Sequence, residues 1–303
     1  MPMIEIQRLF QLQIPEYALS EPQLMRGLMS LSAFHLTYKR PAEASLWMPL
    51  ALKHQATVLR SLRMTMSNMN ADNCRTLFCL SLILGITALS SATCAPAFPP
   101  KGVPDMDEII QPVMLLRGTS ELGRYAQELQ ELFVNGPMSA FVKGYFIMSD
   151  TSAYLPKAVV DQFQLLRDLI ITKYPDETHQ YQLLATLKWL EKIYSEVGYM
   201  KGTANNNMCM AWKFLGHISE TYMSYLKDHD PGALLIFAYF AILSKLFKSY
   251  WYLQGWAELV VRGIESTLMD PDFIDALQWA SKQLESDLDV FPREDHTKVP
   301  VQV

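Results

Sequence analysis

Basic residues never cluster in this 303-residue chain: its 26 Lys and Arg are scattered singly against 31 Asp and Glu, giving a formal net charge of −5. Autonomous nucleic-acid binding needs a concentrated positive surface, so the charge pattern argues against direct nucleic-acid contact by this chain. Charge of either sign is scarce, at 19% of residues, while 50% of residues are hydrophobic. A chain of this length with that balance can bury a large core without cross-links. Cysteine is also scarce. Cys74, Cys79, Cys94 and Cys209 lie singly in or beside apolar segments, with no Cys-x-x-Cys pair, and read as buried thiols of a reducing compartment rather than a disulfide frame or zinc site. Residues 1–14 lack a basic segment followed by a continuous apolar run, so no secretory signal is expected and the localisation expected is nuclear or cytoplasmic.

Alternating β-branched runs bounded by hairpin turns are missing too, which leaves little from which to build a sheet. No segment repeats with a period of 20 to 50 residues, as a solenoid would require. Two apolar stretches test the membrane alternative. Residues 76–100 carry no charge but are broken by Ser81, Gly85, Thr87, Ser90, Ser91 and Thr93. Residues 231–244 are more apolar but shorter than the roughly 20 residues a span needs. No membrane span is expected.

Recognisable catalytic chemistry is absent as well. There is no glycine-rich phosphate loop and no Gly-x-Ser-x-Gly elbow. His35 and His54 lie in helical patterns, but neither has a second histidine four residues away to complete a metal-binding pair. His35 ends an apolar stripe and reads as a histidine satisfied by a neighbouring helix. The acidic groups Asp105-Met106-Asp107-Glu108 and Asp287-Leu288-Asp289 sit at helix ends, where acids meet the dipole or water. No metal site and no cofactor is expected.

What the sequence holds in quantity is helix. Pro22, behind Ser20 and Glu21, starts one that places Leu24, Leu28, Leu31 and His35 on one face, and Pro41 ends it. Further helices are expected over 46–69, with Pro49 in the first turn, and over 72–92, capped by Asp72. After a rigid proline-rich loop over 95–104, a pair over 105–116 and 120–133 is joined near Gly118 and Thr119. Residues 135–155, with Phe141, Tyr145 and Phe146, read as an aromatic loop of the packed or functional kind. Helices then follow over 156–174, over 176–197 with Gly198 as a left-handed stop, and over 208–226, 231–248, 250–268 and 271–288. The expectation is an all-α fold in which residues 1–290 form one domain of about ten helices around a buried C-terminal helix. Residues 291–303 form a flexible tail.

That central helix is the most sharply specified element. Asp230 can cap it, Pro231 takes the first position, and Ala233-Leu234-Leu235-Ile236-Phe237-Ala238-Tyr239-Phe240-Ala241-Ile242-Leu243 follows without a polar face, as a helix buried on all sides requires. The chain has 17 Met. With Phe237, Tyr239, Phe240, Trp251, Trp256, Phe214 and Trp212, these residues fit either an ordinary core or the wall of an adaptable apolar cavity.

Five parts of the chain form a recognisable series: Leu24-Met25-Arg26-Gly27-Leu28-Met29-Ser30-Leu31-Ser32-Ala33-Phe34-His35-Leu36, Ala51-Leu52-Lys53-His54-Gln55, residues 73–83, Leu115-Leu116-Arg117-Gly118, and residues 231–239 with Trp251-Tyr252-Leu253-Gln254-Gly255-Trp256. Together they resemble the C-terminal regulatory domain of fungal binuclear zinc-cluster transcription factors, in particular those similar to the sterol uptake control protein. The matches come in family order and cover most of the chain. The family's DNA-binding module needs six cysteines in a basic N-terminal segment, and nothing like it precedes Leu24.

The resemblance implies an all-helical regulatory domain that, in sterol-sensing relatives, takes an apolar ligand among the C-terminal helices and tends to form a homodimer. It makes Phe237, Tyr239, Phe240, Leu243, Trp251, Gly255 and Trp256 the candidate contacts for a sterol or other lipophilic small molecule. Gly255 is expected to allow close helix approach beside the two indoles. The alternative is a cofactor-independent enzyme that cyclises or isomerises a lipophilic biosynthetic intermediate, with His35, Asp150, Tyr239 and Glu258 as candidate polar groups.

Overall fold

The computed structural model describes residues 7–66, 68, 70, 72–94, 105–125, 155–200, 208–247 and 249–285, with the side chains of 118–125, 200 and 208–212 left aside. Among the described residues there are twelve α-helices and no strand, so the fold is all-α as expected. A π-helical turn, Leu9–Gln13, leads into α1 (Ile14–Ala18); α2 (Pro22–Lys39), a 3-10 turn (Pro41–Glu43), α3 (Ala44–Met66) and α4 (Cys74–Cys94) complete the first third of the chain. Then come α5 (Met106–Tyr125), α6 (Lys157–Lys173), α7 (Glu177–Met200), α8 (Met208–His217) and α9 (Glu220–Lys227). The central α10 (Pro231–Ile242) continues as a 3-10 helix (Leu243–Phe247), and a second 3-10 turn (Trp251–Leu253) leads to α11 (Trp256–Thr267) and α12 (Pro271–Glu285).

Helix α2 starts at Pro22, whose ring presets the helical φ, but it buries a different face from the expected one. Leu24, Gly27, Ser30, Ala33, Phe34 and Thr37 are buried, whereas His35 is exposed. The small residues decide this, because they let neighbouring helices come close. A Cβ on Gly27 would stand 3.3 Å from Ile83 Cγ2 on α4, and Ser30 Oγ donates to the Ala51 carbonyl of α3 at 2.9 Å. At the start of α4, Asn70 Oδ1 accepts from the backbone N–H of Asp72 and Asn73 at 3.0 and 3.2 Å. The turn is therefore organised by Asn70 and not by an Asp72 cap.

Three expected boundaries are corrected. Helix α5 runs unbroken through Gly118, and α7 runs through Gly198 to Met200. A single glycine costs a helix only about 1 kcal/mol, which packing outweighs: α5 buries Ile109, Ile110 and Val113, and α7 buries Leu187, Leu190, Ile193 and Val197. Conversely, the helix expected over 208–226 is two helices. Ser219 leaves the helical conformation and its Oγ accepts from Tyr222 N at 3.0 Å, capping α9. Pro49 lies inside α3 rather than in its first turn. The proline-rich 95–104 loop, the aromatic 135–154 stretch and the 291–303 tail lie outside the described residues.

Three apolar cores result. One joins α1 to α4, a small one joins Ala33 and Phe34 to Met48, Ala51 and Cys94, and the largest surrounds α10. Helix α4 contributes to all three, through Leu77 to Leu84, Cys94 and Leu89. It is also long and apolar enough to cross a membrane, with a hydropathy of 2.0, and 78% of that window is buried inside the protein. It packs closely on α5, where a Cβ on Gly85 would run into Leu116 Cδ2 and fall 2.9 Å from Leu116 Cγ.

Candidate functional site

The start of α10 is fixed from three directions. Asp230 Oδ1 accepts from Ala233 N at 2.9 Å, closing the cap, and also accepts from the Tyr174 hydroxyl at 2.9 Å. The same hydroxyl accepts from Gly232 N at 2.8 Å. His179 Nε2 lies 3.3 Å from Asp230 Oδ2, and its ring stacks on Tyr225 with centroids 3.9 Å apart. Burial, reinforced by the Asp230 charge, pushes the Tyr174 phenol well above its ordinary value, so it stays a proton donor.

Every residue of α10 from Gly232 to Ile242 is buried. Its backbone carbonyls are held by tyrosines: Tyr222 donates to Ala233 O at 2.9 Å and Tyr194 to Tyr239 O at 2.5 Å. Burial raises both phenols far above the usual range, which keeps them protonated as donors.

The seven residues singled out from the sequence divide into four settings. Phe237, Phe240 and Trp256 meet in a ring cluster, with centroid separations of 6.1 Å between the phenylalanines and 5.9 and 6.0 Å to the indole. Phe214 of α8 joins by stacking on Phe240 at 4.7 Å, and Leu243 is buried in the same core. Tyr239 faces another way. Its ring stacks on Trp279 of α12 at 4.7 Å and its hydroxyl donates to Ala276 O at 3.1 Å.

Trp251 packs toward the first half of the chain, with its ring 5.0 Å from His35 and 5.6 Å from Tyr38. Gly255 corrects an expectation. It is exposed, has φ +80° as the N-cap of α11, and a Cβ there would meet nothing within 4 Å. Its glycine is demanded by left-handed backbone, not by close helix approach. Trp212 falls among the side chains outside the described residues.

The polar candidates do not converge. His35 is an exposed ring on α2 stacked against Trp251, so it is not the histidine satisfied by a neighbouring helix that its position implied. Burial and the charge of Lys39 lower its basicity. The Tyr239 hydroxyl is spent on Ala276, and Asp150 lies outside the described residues. Asp107 stands in the first turn of α5, 3.3 Å from His229 Nε2, and 287–289 lie outside the described residues.

A polar pair that sequence reasoning missed is buried in this half. Lys213 Nζ of α8 donates to Glu196 Oε2 of α7 at 3.0 Å, with both side chains at 0% exposure. The available signal was Lys213 inside the apolar run Met208-Cys209-Met210-Ala211-Trp212-Lys213-Phe214-Leu215, since an isolated charge in such a run is buried only when paired.

Comparison with known proteins bears on the first third of the chain. Residues 6–96 match the fungal specific transcription factor domain. The matched segment spans α1 to α4, including the small-residue face of α2, His35 and Tyr38, and the similarity supports a regulatory role. The α10 ring cluster lies outside the matched residues. No curated protein matches the chain.

Proposed function

We propose that the chain is the effector-responsive part of a nuclear or cytoplasmic transcription regulator, and that it takes an apolar small molecule among its C-terminal helices. The observation that carries this reading is the position of Trp251. It sits in the short connection between the central helix and α11, next to the ring cluster in sequence, and packs on His35 and Tyr38 of the transcription factor domain. Tyr38 adds a hydrogen bond from its hydroxyl to Gln254 Oε1 at 2.7 Å, across 216 residues of chain. A lipophile inserted among Phe237, Phe240, Leu243 and Trp256 would displace that connection. The displacement would be felt on α2.

Such a device works only if the molecule binds the two arrangements of the connection with different affinity. The rings supply adaptable apolar area, and the tyrosine-held start of α10 supplies a fixed end against which the rest can move. The test is a native mass spectrum of protein purified from its host, followed by extraction. A retained lipophile, recovered unchanged after long incubation, is the expected result, and the same spectrum reads whether the protein is a homodimer. Its accumulation as a new product, or a protein that binds no lipophile from host extract, overturns the proposal.

A further inference from the structure

We infer that the buried Glu196–Lys213 pair is the polar anchor of a site for an uncharged lipophile that carries a hydroxyl group; this rests on the lipophile-binding reading above. Both side chains are removed from water, and Lys213 engages only one carboxylate oxygen of Glu196, Oε2, at 3.0 Å. Glu196 Oε1 is buried and, among the described residues, accepts no hydrogen bond. A buried acceptor left unmade is costly, and a carboxylate oxygen more so than a neutral one, so the arrangement is suited to a donor that arrives from outside the protein.

Two neighbouring features give the donor its context. Lys213 shares helix α8 with Phe214, whose ring stacks on Phe240, so one helix carries both the anchor and part of the apolar wall. The 3-10 helix Leu243–Phe247 packs on α8, and its Ser244 Oγ is a second buried polar atom with no partner among the described residues.

Electrostatics selects the chemical class. A ligand carboxylate or phosphate directed at Oε1 would meet the Glu196 charge at close range in a medium of low dielectric, and a ligand ammonium would have to give up its own hydration to reach a site closed to water. A hydroxyl satisfies Oε1 without changing the net charge of the buried pair. Its hydrogen bond is charge-assisted and therefore stronger than a neutral one.

The test compares lipophilic alcohols with their methyl ethers, which keep the shape and remove the donor. A sterol, a terpenol and a long-chain alkanol, each beside its ether, are titrated against the full chain by fluorescence. At least one alcohol is expected to bind about tenfold or more tightly than its own ether. The double variant Glu196→Met with Lys213→Met is expected to bind that alcohol and its ether alike, at the ether's original affinity.

Equal affinities in the wild-type protein overturn the anchor and leave the lipophile site standing. Failure of all six probes to bind overturns both. A preference that survives in the double variant places the donor's partner elsewhere and overturns the anchor. Should the double variant not fold, isotope-labelled glutamate in the wild-type protein decides: one carboxylate stretch shifts on adding the alcohol and not the ether, and no shift overturns the anchor.

Discussion

Tyr174 donates its hydroxyl proton to Asp230 at 2.9 Å while accepting from Gly232 N. That single oxygen ties the corner between α6 and α7 to the first turn of the central helix. The contact is tight: a Cβ on Gly232 would stand 2.8 Å from the Tyr174 oxygen and 2.9 Å from Leu183 Cδ1. Tyr174→Phe removes both hydrogen bonds and is expected to lower stability by about 1–3 kcal/mol. Gly232→Ala is expected to cost at least as much, because neither Tyr174 nor Leu183 can withdraw without losing its own contacts. Urea unfolding of the two variants, with unchanged slope, checks this.

The seam through Trp251 gives a second expectation. Trp251→Ala removes a half-buried indole that touches His35 and Tyr38, at a cost of about 2 kcal/mol, below that of a fully buried Trp. Tyr38→Phe breaks only the bond to Gln254 and is expected to cost under about 1 kcal/mol, since the site is solvent-facing. A double-mutant cycle with non-additive effects identifies one coupled seam; strict additivity argues against it.

The Glu196–Lys213 pair behaves asymmetrically. Glu196→Ala alone removes the carboxylate that meets the buried Lys213 ammonium at 3.0 Å and is expected to destabilise by about 3–5 kcal/mol. Replacing both by Met is expected to be close to neutral, because the two desolvation penalties vanish together. Thermal unfolding monitored by circular dichroism separates these outcomes.

Acid and alkali act on the other end of the domain. Lys173 Nζ lies 2.8 Å from Asp270 Oδ2 and 2.6 Å from Asp272 Oδ2, joining α6 to the start of α12. Its hydrogen bond holds the Asp270 carboxyl below its ordinary value, and in turn Asp270 and Asp272 hold the Lys173 ammonium above its own. Because Asp270 binds fewer protons folded than unfolded, its contribution is present above its unfolded pKa of 3.8 and lost as pH falls through the lower folded value. Lys173 contributes fully below 10.5, and the contribution is lost as pH rises through its higher folded value. Melting temperatures of Lys173→Met and the wild type should therefore converge at both extremes and differ most near neutrality. A constant gap at every pH would refute the ion pair's role.

The thiols supply a fifth test. Burial pushes Cys79 up to about 12 and Cys94 up to about 11, and raises Cys74 as well. The thiolate is the reactive form, so iodoacetamide at pH 8 should leave these three unlabelled in the folded protein and modify them in urea. Fast labelling of Cys79 in the native state would contradict its burial.

Where local chemistry is decisive, the sequence was legible. Pro22, Pro156, Asp176, Asp230 with Pro231, and Asp270 with Pro271 mark helix starts within a residue or so of those observed, because a fixed φ or a capping oxygen acts within one turn. Ser219 was equally local but was hidden in an apolar stretch that reads as one helix. Gly118 and Gly198 misled for the opposite reason, since a modest backbone cost is overruled by neighbours that sequence does not display.

The all-α class and the burial of α10 on every side are written in the order of residues, since an apolar helix with no polar face has only one place to go. The sequence also carried a resemblance to the regulatory domain of fungal transcription factors, which the match over residues 6–96 bears out for that segment. Which aromatic residues meet depends instead on how the helices cross. Phe237 and Phe240 turn to Trp256, Tyr239 turns to Trp279, and Trp251 leaves both for His35. The physical reason is distance along the chain: ring neighbours and the partner of a buried charge are set by how helices cross, and periodicity along one helix contains no information about the face that another presents.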